Sequence, residues 1–128
     1  MKNNIIIRFI LLFSTLSLAS CYETERNCSN FKTGSFRFEQ EIEGKKHVTL
    51  FERTEALQIE TYEGKTDTAS VRWLNECEFI LQKIHPKNMQ EKKAYHMKIL
   101  TTGKNSYTFE YSFVGDNNKQ KGTVTKLN

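Results

Sequence analysis

The chain is predicted to be all-β, a single antiparallel up-and-down meander of about eight strands that closes into a small barrel. Three observations predict it. Apolar and polar residues alternate with a period of two through most of the chain after residue 33. Turn-forming residues fall between these runs at short, even spacing, so that successive strands are joined by hairpins. Closure would also remove sheet edges that the chain has no other evident way to cover.

The strands follow in order. Phe36, Phe38, Gln40 and Ile42 alternate with Ser35, Arg37, Glu39 and Glu41, the pattern of a half-buried strand, and Glu43-Gly44-Lys45 turns it. Val48 to Arg53 is the second strand and Leu57 to Tyr62 the third, followed by a turn at Glu63-Gly64-Lys65. Thr68 to Leu74 places Val71 and Trp73 on one face, and Asn75-Glu76 turns tightly into Cys77 to Ile84. His85-Pro86-Lys87-Asn88 interrupts the sheet, because proline gives no ladder hydrogen bond. Asn88 to Lys93 is read as one helical turn, with Asn88 as cap and Glu91 in the capping-box position. Ala94 to Thr101 is the sixth strand, and Gly103-Lys104-Asn105 turns it. The clearest strand comes next, with Tyr107, Phe109, Tyr111 and Phe113 alternating with Thr108, Glu110 and Ser112. Gly115 to Asn118 is the last loop and Lys121 to Leu127 the last strand.

The amino-terminal stretch has a different character. Lys2 and Arg8 precede an apolar run from Phe9 to Leu18, too short to span a bilayer comfortably, which takes roughly 20 apolar residues. Small residues and a cysteine follow, which completes the three-part layout of an export signal. Leu18-Ala19-Ser20-Cys21 resembles the lipobox of bacterial lipoproteins. That resemblance implies cleavage before Cys21 and lipid on its thiol and amino group. Residues 1–20 are then a lipoprotein signal peptide, 21–32 a polar, lipid-anchored tether (CYETERNCSNFK), and 33–128 the barrel domain. The membrane is thus an expected partner, through the lipid on Cys21.

Three cysteines are present, and lipidation of Cys21 leaves Cys28 and Cys77. Export places these two in an oxidising compartment, and they are expected to pair. The bridge would close a long loop and contribute about 3–4 kcal/mol. The alternative is two free, buried thiols. No metal site is expected, since no CxxC pair exists and His85 and His96 lie at no usual ligand spacing from Cys77.

Removal of 20 residues from 128 leaves 108, one domain with enough chain for a core. The mature chain carries 17 basic against 15 acidic residues, too small an excess to suggest nucleic acid as a partner. The balance is uneven, with 8 basic and 12 acidic residues over 21–82, and 9 basic and 3 acidic over 83–128. Two differently charged solvated faces account for this. A sharper reading has Lys83, Lys87, Lys92, Lys93 and Lys98 meeting anionic lipid or an acidic partner.

No GxSxG elbow, HExxH pair or phosphate-cradling glycine loop is present, and no cofactor is expected. Glu39, Glu41 and Glu43 share one face of a strand and read as a solvated surface, and His47 and His96 as surface or rim residues. The aromatics carry the ligand hypothesis. Phe38, Trp73, Tyr107, Phe109, Tyr111 and Phe113 are the candidate lining of an apolar pocket with a few tyrosine hydroxyls. Trp73, with Val71 on its own face, is the ring expected to approach the aromatic strand from another strand. The bland alternative is a packed core, because a barrel of this size can fill itself with such rings.

Thr33-Gly34-Ser35-Phe36 opening the first strand, with Val71-Arg72-Trp73 leading to Cys77-Glu78-Phe79-Ile80-Leu81, resembles small lipocalin-like lipoproteins of Gram-negative bacteria. Lipocalins open with Gly-x-Trp, and Phe36 stands in that place here. CYETERNC through GKTDTASVRWLNECEFIL more closely resembles short Bacteroidetes-type lipoproteins, a group that brings no established activity. Together these imply a lipid-anchored protein of the bacterial cell envelope, at the outer membrane on its periplasmic face or the cell surface. Acidic Glu23 and Glu25 after Cys21 resemble surface-export signals of that group. The expected role is non-enzymatic, with a small apolar ligand in the barrel. The alternatives are a filled-barrel interaction subunit that meets another envelope protein, and an envelope enzyme without a recognisable motif.

Overall fold

A computed structural model describes residues 26–128. The expected signal peptide and lipobox, Cys21 and the first part of the expected tether lie outside the described residues. Eight antiparallel strands form a closed barrel in sequence order: β1 (Gly34–Ile42), β2 (Lys45–Arg53), β3 (Leu57–Tyr62), β4 (Lys65–Trp73), β5 (Glu78–Lys83), β6 (Tyr95–Thr102), β7 (Ser106–Phe113) and β8 (Gln120–Lys126). The fold is the predicted all-β meander. β8 returns to β1 through the pairs Phe36–Lys126, Arg37–Thr125 and Phe38–Val124, so the sheet has no free edge.

The hairpins explain the register. Glu43-Gly44 and Glu63-Gly64 each place two successive residues at positive φ, as the favoured two-residue hairpin turns require. They fix Ile42 opposite Lys45 and Tyr62 opposite Lys65. The β2 and β4 strands therefore start earlier than the alternation alone indicates, because the tight turns carry pairing to the hairpin tips. The turn expected at Asn88 is present as one turn that does not extend into a helix: the Lys92 N–H donates to the Asn88 carbonyl at 3.3 Å. Asn88 Oδ1 accepts from the Glu91 N–H at 2.9 Å, the cap that the sequence suggests.

An up-and-down barrel puts the β1–β2, β3–β4, β5–β6 and β7–β8 connections at one end and the chain's amino-terminal entry at the other. The entry end is closed. Cys28–Phe31 form a 3-10 turn whose Cys28 and Phe31 are buried, Phe31 at 1% exposure. Phe31 packs edge-on against Tyr107 at 5.2 Å between ring centroids. Phe36, Ile99, Phe51, Phe109 and Val124 complete this cluster. Residues 28–31 thus act as a plug of the barrel, not as the polar tether expected through Lys32. A lone Phe31 in a polar stretch carries no periodicity by which to read such a role.

Covalent and polar contacts hold the plug. The Cys28–Cys77 disulfide ties it to the β4–β5 connection, with Cα atoms 5.3 Å apart. A bulge between Ile99 and Thr101 on β6 turns Thr102 into register with inward Tyr107. Thr102 Oγ1 then accepts from the Asn27 N–H at 2.8 Å.

Candidate functional site

The upper half of the barrel is hollow. A cavity of about 210 Å³ opens toward the hairpin end. Phe38, Phe109 and Tyr111 form one stretch of wall, and Met97, Tyr95 and Leu81 on the adjoining strands β6 and β5 continue it. Gln40, Thr49, Gln58 and Glu60 supply polar groups, and Arg53, Phe51 and Tyr107 make the floor. An apolar cavity of about 150 Å³ suffices for benzene, so this volume suits one substituted ring or a short chain.

Close backbone approach shapes the wall at β8. A Cβ on Gly122 would lie 2.7 Å from Phe38 Cε2 and 2.9 Å from Phe109 Cε1. Only glycine lets those two rings lie against this strand, edge to face at 5.5 Å. Tyr111 stacks on Phe109 at 5.5 Å, and the Gln40 amide donates to its hydroxyl at 3.3 Å.

The floor is an arginine without a carboxylate partner among the described residues. Arg53 is 3% exposed. Its Nε donates to Gln58 Oε1, one Nη to the Phe31 carbonyl and the other to the Tyr107 hydroxyl, each at 2.9 Å. The guanidinium lies 4.6 Å from the Phe79 ring centroid, 5.0 Å from Phe36 and 5.3 Å from Phe51. Aromatic faces and three acceptors replace the water that a buried cation loses. Gln58 then passes the interaction on, its Nε2 donating to Glu60 Oε1 at 2.7 Å. The amide bridges a cation on the floor and a half-buried carboxylate on the wall.

A second cavity of about 170 Å³ shares Glu60, Leu81 and Tyr95 with the first and forms its vestibule. Here Lys83 Nζ lies 2.8 Å from Asp67 and 3.1 Å from Glu91. The Lys83 hydrogen bond holds the Asp67 carboxyl below its ordinary range, and Lys83 itself is raised by Asp67 and Glu91. Glu91 is lowered first by the Lys87 backbone N–H and then by Lys83. Burial pushes the Tyr95 phenol up, helped by Tyr111 and Glu60 and opposed by Lys83, so the hydroxyl stays protonated at neutral pH.

Of the six rings singled out in the sequence, Phe38, Tyr107, Phe109 and Tyr111 line the cavity, and Trp73 and Phe113 do not. Trp73 is inward, but in the closed half. It packs on Phe79 at 4.6 Å, with Lys32 over its ring at 5.1 Å, and borders the cluster of Phe31, Phe36 and Ile99 below the cavity. Phe113 stacks on Tyr95 at 4.6 Å at the mouth, under Lys93. Alternation gave each ring the correct face and no information about its height in the barrel.

Arg53, Gln58 and Glu60 were missed. Their signal was parity: Arg53 falls two residues from Phe51 and pairs across the sheet with Gln58, but β2 and β3 carry apolar residues on both faces. Outside the cavity, Glu39 is outward between Arg37 and Lys46. His47 bonds Tyr62 at the rim, and His96 lies 3.3 Å from Glu78 on the outer wall. Lys83 and Lys98 face carboxylates, which leaves Lys87, Lys92 and Lys93 of the basic set without one among the described residues. No group of three or more metal-ligating side chains converges among the described residues. The arrangement can seat an apolar or aromatic body against rings and meet one polar head with Glu60, Gln40 and the tyrosine hydroxyls. Comparison of the chain with known protein families, with curated proteins and with solved structures finds no match.

Proposed function

We propose that this protein is a non-enzymatic lipoprotein of the bacterial cell envelope, held at the outer membrane by lipid on Cys21, whose barrel binds one small ligand with an apolar or aromatic body. The half-hollow barrel carries the ligand reading. A barrel of this size has enough rings to fill itself, yet the positions lining its upper half include Gln40, Thr49 and Glu60 among the rings, and room is left. An apolar lining with a few convergent polar groups is the usual make-up of a small-molecule site. The anchoring reading rests on Leu18-Ala19-Ser20-Cys21.

Calorimetric titration of tryptophol, a neutral substituted ring, into the full-length chain in phosphatidylcholine nanodiscs tests the ligand reading. Saturable heat above that of empty nanodiscs is expected, and Thr49→Phe should remove it by filling the cavity. Heat that survives Thr49→Phe unchanged, or no heat at all, overturns the reading. For the anchor, mass spectrometry should find an acylated amino-terminal cysteine. Cys21→Ala retained in membranes at the wild-type level after a carbonate wash would sink it.

A further inference from the structure

Two charged side chains border the main cavity, and a ligand can reach one of them. Arg53 has all three nitrogens engaged, is 3% exposed, and lies among the rings of Phe36, Phe51, Phe79 and Tyr107. Glu60 is half-buried in the wall. Gln58 holds its Oε1, and its Oε2 has no hydrogen-bond or ion-pair partner among the described residues. From these facts we infer that the cavity selects a small organic amine, with its ammonium at Glu60 and its apolar or aromatic body among the rings. The inference rests on the ligand-binding reading and names the ligand's charge.

The surroundings point the same way. Glu60 sits directly across from Asp67 in the β3–β4 register, which sets two carboxylates side by side. Asp67 shares the one Lys83 ammonium with Glu91, so that lysine is already committed twice. Lys93, the other lysine of the vestibule, lies 5.2 Å over Phe113. The vestibule thus holds three carboxylates against two lysines. A half-buried carboxylate with an open oxygen is costly to leave uncompensated, and an ammonium supplies the missing charge-assisted hydrogen bonds. Tyr95, Tyr111, Phe109 and Phe38 add ring faces that attract a cation. Gln40 spends an amide hydrogen on Tyr111, and its carbonyl oxygen has no partner among the described residues. An anionic ligand would instead place its charge against the open oxygen of Glu60.

Three probes of nearly one shape separate the possibilities: tryptamine, tryptophol and indole-3-acetate, titrated calorimetrically into the full-length chain in phosphatidylcholine nanodiscs. Tryptamine should bind at least about ten-fold more tightly than tryptophol, and indole-3-acetate more weakly than both. In Glu60→Gln the ratio of tryptamine to tryptophol affinity should fall to within about two-fold, whatever the change in tryptophol affinity itself. Equal binding of tryptamine and tryptophol to the wild-type chain overturns the amine inference and leaves the pocket reading intact. So does a preference for indole-3-acetate, which would mean that Arg53 is reached. If none of the three binds, both readings fall. The wild-type ratio decides the matter even if Glu60→Gln does not fold.

Discussion

At the closed end of the barrel the inward positions are Phe36, Phe79, Ile99 and Val124, with Phe31 inserted among them. At the open end the same strands turn Gln40, Thr49, Glu60, Asp67 and Lys83 inward, and two connected cavities result. Strand geometry, register and alternation are common to both ends. The difference lies in which side chains occupy one parity and in a plug from outside the sheet. Packing makes one end solid, and charge with hydrogen bonding keeps the other open. Arg53 marks the border, because its guanidinium fastens the plug below and, through Gln58, the Glu60 carboxylate above.

The comparison implies that the ends respond differently to substitution. The largest effect is expected from removing the disulfide. Cys28 and Cys77 are 49 residues apart in sequence, and a loop of that length corresponds to about 4 kcal/mol in the chain-entropy account. Urea unfolding of the Cys28→Ser, Cys77→Ser double variant measures it. A loss below about 1 kcal/mol would show that packing of Phe31 alone holds the plug.

Arg53→Met comes next. It keeps an apolar stem but leaves the Phe31 carbonyl, the Tyr107 hydroxyl and one face of Gln58 without their donor. Stranded buried polar groups make a loss of about 2–4 kcal/mol the expected result. Glu60→Gln, across the border, should change stability by no more than about 0.5 kcal/mol. Comparable losses in the two variants would mean that the open half is as tightly coupled as the closed one.

Gly122→Ala probes the cavity wall itself. Its Cβ forces Phe38 and Phe109 to move, for a cost of about 1–2 kcal/mol. The displaced rings have the cavity to move into, so tryptophol affinity should fall several-fold. Unchanged affinity would place the ligand away from these rings.

The barrel was legible because the feature that specifies it is local and repeated. β7 alone, with Tyr107, Phe109, Tyr111 and Phe113 in alternation, shows strand, length and inward face. Gly44 and Gly64 show where the strands turn. Cys28 and Cys77 were legible through chemistry, once the expected lipidation set Cys21 aside. The candidate site was legible only in its apolar half. Glu60 carries no mark in the sequence that separates it from surface glutamates such as Glu41 or Glu43, because inwardness in a mixed strand follows from register with β2 and β4. Trp73 was misplaced for a related reason. Height along a barrel depends on the stagger accumulated over several strand pairs, which no single strand encodes.

The smallest effect is a matter of pH, and it should separate the ends without any substitution. Asp67 and Glu91 have folded-state pKa values below their ordinary ones, chiefly through Lys83 for Asp67 and through the Lys87 N–H and Lys83 for Glu91. A depressed carboxylate contributes stability that is fully present above its unfolded value, about 4, and is lost as pH falls through its folded value. Lys83 is raised, so its share is present below its unfolded value, about 10.4, and is lost only as pH climbs through its folded value. Between about pH 5 and pH 9 the vestibule should therefore be unchanged, and below about pH 4 it should loosen. The Lys87 amide reports this directly, since Glu91 Oε2 accepts its hydrogen at 2.7 Å. Hydrogen-exchange protection of Lys87, corrected for intrinsic rates, should fall on acidification while amides of the closed half, such as Phe36 and Val124, keep theirs. Solvent reaches all three side chains, so the shift is modest and weaker in high salt. Protection that falls together at both ends would show one cooperative unit, with no border at Arg53.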